Sequence, residues 1–442
     1  MSKPTPLSGF PEWLPAQRMI EQNVVERIRS TFELYGFAPL ETRAVEPMDQ
    51  LLRKGETSKE VYVLRRLQED PANQKDDALG LHFDLTVPFA RFVLENSGKL
   101  QFPFRRYQIQ KVWRGERPQE GRYREFLQAD IDVVDRDSLP FHYDAELPLV
   151  IGDAFRSLPI PPATILVNNR KVCEGFYRGL GLEDPDEVLR TVDKLDKIGP
   201  AKVGELLATL GASAAQVDAV LRLAQISTAD ASFVDEVRKL GVDNDLLNEG
   251  LGELVAVVDA ANEHAPGLIR AELKIARGLD YYTGTVYETQ LQGYERHGSI
   301  CSGGRYENLA SSGNERFPGV GISIGVSRML GLLFGQSALT VSRSVPTAVV
   351  VALPSEELRG RCDAVARSLR SRRISTEVAP SAAKFGKQIR FAERRGIPYV
   401  WFPGADGEPD TVKDIRSGEQ VEADAATWAP PAEDFVPSVQ GV

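Results

Sequence analysis

The segment from residue 104 to residue 134 constrains the fold more than any other part of this chain. It has the pattern of two strands joined by a charged, glycine-containing loop, GERPQEGRYRE. Along the second strand the residues alternate, with one face formed by Leu127, Ala129, Ile131 and Val133 and the other by Phe126, Gln128, Asp130 and Asp132. Two carboxylates and an amide are costly to bury without an ionic, hydrogen-bonding partner. The hairpin therefore predicts one packed face and one ligand-binding face, and a solvated sheet face is the alternative.

The loop and the end of the first strand are rich in arginine, with Arg114, Arg117, Arg122 and Arg124. Guanidinium groups bind phosphate through paired hydrogen bonds, so these residues favour an anionic ligand. A charged loop that is merely solvated would have the same composition.

Composition limits the classes of function. The 442 residues carry a formal net charge of -10, which argues against indiscriminate binding to nucleic acid, and no DNA partner is expected. The charge is uneven, because residues 355–395 contain eleven Arg and Lys against five Asp and Glu.

Three widely spaced cysteines and four histidines support neither a disulfide framework nor a zinc site. We find no signal-peptide core and no apolar run of membrane-spanning length, so we expect a cytoplasmic protein with no membrane partner.

The first half of the chain mixes helical and strand patterns. Helical spacing from Gln17 to Tyr35 is followed by a proline-bearing strand. Asp84 and Thr86 are predicted to share one face of a strand that ends at Pro88, and the alternative is that one of them caps the following helix. From about residue 171 to residue 265 the spacing is helical throughout, which predicts a helical insertion.

The β pattern resumes at Ile269. Arg277 precedes a run of glycines and tyrosines that favours close approach of a ligand, although a hairpin or bulge would explain the glycines alone. The segment around Gly303 and Gly304 is predicted to be a turn before a helix. Alternating glycines at residues 319–325 predict a strand against which another chain or a ligand lies. From residue 345 onward, alternating strands and helices predict a separate α/β domain.

These motifs resemble those of the histidyl-tRNA synthetases, a family of class II aminoacyl-tRNA synthetases. RGLDYYTG at residues 277–284 and SGGRY at residues 302–306 resemble the two histidine signatures. The arginine-rich hairpin resembles motif 2, GISIGVSR at residues 321–328 is similar to motif 3, and the first helix with the strand ending at Pro47 occupies the place of motif 1. The chain departs from the pattern at Ser327, where motif 3 has Glu, and at GFPEWLP, where the family opens with R-G-x-x-D-x-L-P.

The resemblance implies an α+β fold with an antiparallel class II sheet flanked by helices, a helical insertion domain and a small C-terminal α/β anticodon-binding domain. We expect the catalytic core in residues 1–170 and 267–336, the insertion in residues 171–266, the anticodon-binding domain in residues 345–430 and a flexible tail in residues 431–442. A homodimer is also implied.

The resemblance further implies a reaction in two steps. Histidine and ATP give histidyl-adenylate and pyrophosphate, and histidine then passes to the 3′ end of tRNA(His). Mg²⁺ would bind the pyrophosphate oxygens, and no protein ligands are assigned to it. Catalysis would consist of positioning and charge stabilisation, for which Arg114 and Arg277 match the family's catalytic arginines.

The resemblance also assigns side chains to each ligand. Histidine would be held by Asp84, Thr86, Arg114, Gln128, Asp132, Arg277, Tyr281 and Tyr282, with Asp84, Thr86 and Gln128 on the α-amino group and Asp132, Tyr281 and Tyr282 around the imidazole. ATP would be held by Arg114, Glu116, Phe126 and Arg328, with Phe126 and Arg328 against the two faces of adenine. Arg117 and Gln119 would touch the acceptor end of the tRNA.

Two other functions fit parts of the same pattern. A catalytically silent paralogue, such as the regulatory subunit that assists the first enzyme of histidine biosynthesis, would share the core but lack the basic C-terminal domain. An adenylate-forming ligase that passes histidine to a small amine would share the core residues entirely. Histidine-dependent pyrophosphate exchange would exclude the first, and charging of tRNA would exclude the second.

Overall fold

The computed structural model describes residues 4–52, 60–68, 78–276, 281–405 and 407–441. The helices in these ranges are α1 (Pro15–Leu34), α2 (Met48–Leu51), α3 (Thr86–Asn96), α4 (His142–Arg156), α5 (Arg170–Gly179), α6 (Pro185–Val192), α7 (Leu195–Thr209), α8 (Ala214–Ala224), α9 (Phe233–Arg238), α10 (Asp245–His264), α11 (Val326–Gly335), α12 (Arg359–Ser371) and α13 (Phe385–Arg394).

The strands in the same ranges are β1 (Ala38–Pro39), β2 (Val45–Pro47), β3 (Val63–Leu64), β4 (Leu79–Leu81), β5 (Phe104–Trp113), β6 (Glu125–Val134), β7 (Ala163–Asn169), β8 (Ser227–Thr228), β9 (Ile269–Glu272), β10 (Tyr282–Leu291), β11 (Cys301–Tyr306), β12 (Ser311–Ser312), β13 (Glu315–Arg316), β14 (Gly319–Gly325), β15 (Leu339–Val341), β16 (Val349–Val351), β17 (Thr376–Val378), β18 (Tyr399–Phe402), β19 (Thr411–Asp414), β20 (Gln420–Glu422) and β21 (Val439–Gly441). The chain divides into two compact units, residues 1–11 with 25–335 and residues 12–24 with 336–442.

The first unit is built on a nine-stranded sheet in the order β1-β5-β6-β14-β11-β10-β7-β9-β8. Neighbouring strands are antiparallel except for β1 beside β5 and β7 beside β9. Helix α11 packs on β6, and α4 packs on β14 and β7. This antiparallel-rich sheet flanked by helices confirms the predicted fold class.

The hairpin of β5 and β6 forms as expected, in register from Phe104 opposite Val134 to Trp113 opposite Glu125. All residues from Gln128 to Val134 are buried, so the polar face of β6 is covered as well as the apolar face. Asp130 and Asp132 are each only 2% exposed. This burial excludes a solvated sheet face.

The stretch between β7 and β9 is helical, as expected, with one exception. Helix α10 packs against α5 and α4, and its buried residues include Leu247, Leu251 and Leu254. The exception is β8, two residues that pair with β9 at the edge of the main sheet.

The second unit contains a five-stranded sheet in the order β17-β16-β18-β19-β20, and helices α12 and α13 pack against it. Strand β16 is parallel to β17 and to β18. The core is formed by apolar residues of these elements, including the fully buried Trp401. Within the described ranges, no helix is both long enough and apolar enough to span a bilayer.

The predicted strand for Asp84 and Thr86 is wrong. Strand β4 ends at Leu81, Thr86 is the first residue of α3, and Pro88 lies in the first turn of that helix. Proline is tolerated there because first-turn N–H groups have no partner inside a helix. Asp84 Oδ1 accepts a hydrogen bond from the backbone N–H of Val87 at 3.1 Å, so the capping alternative is the correct one.

The predicted turn around Gly303 and Gly304 is also wrong. Both residues lie in β11, in the interior of the sheet between β14 and β10. A Cβ on Gly304 would lie 2.7 Å from Thr285 O, so a larger residue would collide with the neighbouring strand. These glycines therefore serve close strand packing.

The expected flexible tail at residues 431–442 is folded in its described part. Strand β21 pairs with β15, and Asp434 accepts hydrogen bonds from the hydroxyl of Tyr399 at 2.7 Å and from Arg416 at 2.7 and 2.8 Å. The prediction failed because it weighed only the acidic and proline content, whereas the pairing partner of the tail lies about a hundred residues earlier.

Candidate active site

Two cross-strand rows of residues form the polar face of the sheet. In the first row, Arg106 on β5, Asp132 on β6, Gly321 on β14 and Gly304 on β11 stand side by side. Because neither glycine has a side chain, the carboxylate of Asp132 fits against Gly321 and the ring of Tyr282 fits against Gly304. In the second row, the side-by-side residues are Gln108, Asp130, Ser323, Ser302 and Glu288.

Asp132 is held by two buried partners. Arg106 Nη2 lies 2.6 Å from Asp132 Oδ2, and the hydroxyl of Tyr306 donates a hydrogen bond to Asp132 Oδ1 at 2.8 Å. Burial and the neighbouring charge of Asp132 raise the pKa of Tyr306 well above its usual value, so Tyr306 remains a donor. These two partners hold the carboxylate of Asp132 in one orientation, next to Gly321 of the first row.

Asp130, in the second row, differs from Asp132 in its surroundings, which raise its pKa. Its pKa is raised to about 7, because burial and the charge of Asp132 together outweigh the opposing charge of Arg106. Ser323 Oγ donates a hydrogen bond to Asp130 Oδ1 at 2.5 Å. Ser323 Oγ in turn accepts a hydrogen bond from Gln128 Nε2 at 2.9 Å.

A cavity of about 310 Å³ opens beside these rows. The predicted site residues that line it are Arg114, Glu116, Phe126, Gln128 and Arg328. Polar groups that the sequence-based assignment omitted also line it, among them Arg122, Glu288, Ser302 and Ser323. The predicted ATP residues are therefore brought together in the lining of one cavity.

Two arginines in this cavity are oriented by backbone carbonyls. Arg114 Nε donates to Phe83 O at 3.0 Å, and its guanidinium carbon lies 5.1 Å from the centre of the Phe126 ring. Arg328 Nε donates to Ser299 O at 2.7 Å, and its Nη2 donates to His297 O. Both guanidinium groups are thus held in fixed positions, an arrangement suited to binding an anion.

The predicted histidine residues Tyr281 and Tyr282 pack together, with ring centres 4.2 Å apart. They pack against the hydrophobic cluster that contains Tyr306, and they therefore lie close to Asp132, which Tyr306 and Arg106 hold. Asp84 is buried at the start of α3, near enough that its charge raises the pKa of Asp130. Thr86 follows it and is half-buried.

The two residues predicted to touch the acceptor end of the tRNA do not line this cavity. Arg117 and Gln119 are exposed in the loop between β5 and β6, where Gln119 forms an isolated bridge with Arg122. Arg277 lies outside the described residues, which resume at Tyr281.

Sequence reasoning missed Arg106, Tyr306 and Ser323 as parts of the site. Arg106 has the same strand phase as Gln108 and Gln110 in β5, and antiparallel pairing with β6 would have placed it beside Asp132. Tyr306 belongs to the SGGRY run, but its hydrogen bond to Asp132 spans 174 residues of chain. No local signal contains that contact.

Comparison with known proteins supports a specific family. A family model described as histidyl-tRNA synthetase matches residues 9–329, and one described as an anticodon binding domain matches residues 347–427. The histidine–tRNA ligases of Cutibacterium acnes and Micrococcus luteus are each 59% identical to the chain. The first alignment covers 100% of this chain and of the relative, and the second covers 99% of each. The crystal structure of histidyl-tRNA synthetase from Nostoc sp. PCC 7120 superposes with a TM-score of 0.86 at 36% identity, covering 96% of this chain and 97% of that one. On these grounds the chain belongs to the histidyl-tRNA synthetase family.

Proposed function

We propose that this chain activates L-histidine with ATP to histidyl-adenylate and pyrophosphate, and then transfers histidine to the 3′ end of tRNA(His). The observation that carries the proposal is the position of Gln128. This residue lines the arginine-bearing cavity and also belongs to the carboxylate-bearing strand face. A substrate that is cationic at one end and phosphorylated at the other would fit with its cationic end at the carboxylates and its phosphates at the arginines.

The histidine end of the site would lie over the first row of the sheet. An α-ammonium group needs acceptors, which Asp84, Thr86 and Gln128 would provide. Asp132, Tyr281 and Tyr282 would surround the imidazole, where each ring nitrogen needs a polar partner. Because Arg106 and Tyr306 already fix the carboxylate of Asp132, its orientation costs little when the ligand binds.

The nucleotide end would lie in the cavity. Arg114 and Glu116 would contact ATP, and Phe126 and Arg328 would lie against the two faces of adenine. Arg114 and Arg277 would neutralise the charge that develops on the α-phosphorus during adenylate formation. No covalent enzyme intermediate is needed, so positioning supplies much of the rate enhancement.

Mg²⁺ would be held mainly by the phosphates of ATP. Among the described residues, no group of three or more His, Cys, Asp or Glu side chains could hold a metal ion. Mg²⁺ in nucleotide sites commonly uses one or two carboxylates with substrate phosphates, and the carboxylates at the cavity wall are Glu116 and Glu288. The bound ion would withdraw charge from the pyrophosphate oxygens.

The remaining parts of the proposal concern partners. The second unit, with basic helices α12 and α13, would bind the anticodon of tRNA(His), and Arg117 and Gln119 in the exposed loop would touch its acceptor end. We further propose a cytoplasmic homodimer. The match of residues 347–427 to an anticodon binding domain disfavours the silent regulatory paralogue, which lacks such a domain.

The test is histidine-dependent exchange of labelled pyrophosphate into ATP, followed by charging of tRNA(His) with tRNA(Phe) as the control. Arg277→Ala is expected to lower the exchange rate by orders of magnitude while ATP still binds, whereas Arg270→Ala, an exposed arginine on β9, is expected to have little effect. A folded wild-type chain without exchange would contradict the proposal. Exchange without charging would favour a ligase that transfers histidine to a small amine.

A further inference from the structure

Only one end of the side-chain amide of Gln128 is hydrogen-bonded within the described part of the chain. Its Nε2 donates to Ser323 Oγ, while Gln128 Oε1 has no hydrogen-bond partner within the described part of the chain. Gln128 is 8% exposed and lines the cavity. A buried acceptor without a partner is costly, so it points to a ligand that supplies an N–H donor.

The orientation of this amide is set by the residues behind it. Above about pH 7 Asp130 is ionised and only accepts hydrogen bonds, so Ser323 directs its single hydroxyl proton toward Asp130. The oxygen of Ser323 is then available only as an acceptor, and Gln128 must present its NH₂ group to it. By elimination the carbonyl oxygen of Gln128 is the end left for the ligand.

The contact between Asp130 and Ser323 depends on the surrounding charges and on strand pairing. Arg106, on the neighbouring strand, lowers the pKa of Asp130, against the effects of burial and of the carboxylates Asp132 and Asp84. Cross-strand pairing places Ser323 directly opposite Asp130, so the hydrogen bond between them is built into the sheet register. The chain Asp130–Ser323–Gln128 is therefore a fixed part of the site.

We infer that Asp130 and Ser323 are positioning residues that fix the amide of Gln128 so that its carbonyl oxygen accepts a hydrogen bond from the α-ammonium group of the amino-acid substrate. This inference rests on the proposed function, in which Gln128 contacts that ammonium group. In this arrangement both residues act on the ammonium group through Gln128. Their effect is to prevent the amide from rotating by 180° and presenting NH₂ to a cation.

The experiment compares binding of L-histidine with binding of imidazolepropionate, which lacks the α-amino group, by calorimetry on the full chain at about pH 8, where Asp130 is ionised. The wild-type protein should prefer histidine, and Ser323→Ala should lower that preference by about tenfold, the value of one charge-assisted hydrogen bond. In a Gln128→Ala background, Ser323→Ala should cause no further loss. Restoring the hydroxyl with Ser323→Thr should recover most of the preference.

A matched control is Ser327→Ala. Ser327 is also buried, but its hydroxyl accepts from the backbone N–H of Leu127 at 2.8 Å instead of contacting Gln128. This variant should leave the preference for histidine over imidazolepropionate unchanged even if it lowers stability. If the wild-type chain shows exchange activity and Ser323→Ala keeps the wild-type preference for histidine, the inference is overturned while the proposed function stands. Losses that add in the double variant would also overturn it, whereas absent wild-type exchange would overturn the proposed function.

Discussion

Gly321 on β14 stands directly opposite Asp132 on β6, and a Cβ at Gly321 would overlap Asp132 Oδ1. The carboxylate therefore occupies the volume that any other residue at position 321 would need. This pairing explains a glycine within a strand, where glycine costs conformational entropy. The motif that resembles motif 3 thus begins with a residue that makes room for a group on another strand.

We expect Gly321→Ala to displace Asp132 from Arg106 and Tyr306. The predicted cost is about 1–3 kcal/mol of unfolding free energy, typical of overpacking, with histidine affinity lowered at least tenfold. Urea denaturation and calorimetric titration with histidine would measure the two effects.

The control for this variant is Gly252→Ala. Gly252 lies within α10, and a Cβ there would meet no atom within 4 Å. Alanine should be neutral or stabilising at this position because it favours the helix. Equal stability of the two variants would contradict the role assigned to Gly321.

A second prediction concerns the ion pair between Arg106 and Asp132, whose side chains are 0% and 3% exposed. Arg106→Met keeps most of the side-chain volume but leaves a buried carboxylate with too few partners. We expect a loss of about 3–5 kcal/mol in unfolding free energy, measured by urea denaturation. The double variant Arg106→Met with Asp132→Asn should recover part of this loss, because it removes the unpaired charge. A double variant no more stable than the single one would count against the ion pair as the cause.

A third prediction concerns pH. Burial raises the pKa of Asp130 to about 7, whereas an aspartate in an unfolded chain titrates near 4. Between these values the native state retains a proton that the unfolded state has lost, so stability falls as pH rises through this window and levels off above pH ~7. In Asp130→Asn this loss should be absent, a difference of roughly 4 kcal/mol at the plateau.

Thermal unfolding from pH 5 to pH 8.5 would measure this effect. The melting temperature of Asp130→Asn relative to wild type should increase up to about pH 7 and then remain constant. Asp259→Asn removes an exposed carboxyl from α10 and controls for the loss of one charge. A difference that does not change with pH would contradict the raised pKa.

A fourth prediction concerns the C-terminal segment. Burial tends to raise the pKa of Asp434, but hydrogen bonds from Arg416 and Tyr399 outweigh it and hold the pKa below its usual value. These bonds fasten the segment to the second unit at neutral pH, and their contribution is lost as pH falls below about 4. Asp434→Ala should make residues 431–442 several-fold more sensitive to limited proteolysis, read out by mass spectrometry. The exposed neighbour substitution Glu433→Gln should leave the cleavage rate at the wild-type level.

How much of this protein its sequence predicts depends on the range of the interactions. Alternation along β6 and the hairpin with β5 could be read directly, because the two-residue period of a strand is a local property. The segment at Asp84 and Thr86 was misassigned because strand alternation and helix capping use the same short polar pattern, and only the path of α3 distinguishes them. Resemblance of whole motifs then placed Arg114, Phe126 and Arg328, which line one cavity.

The tertiary structure alone decided which groups meet. Arg106 and Tyr306 hold Asp132, and Ser323 joins Gln128 to Asp130, because the sheet order brings β5 and β6 beside β14 and β11. These two pairs of strands are far apart in the chain. The sequence by itself determined that one strand face is polar and one loop cationic, since those features repeat within a few residues. It did not determine the partners of that face, because strand order is chosen by the packing of the whole domain.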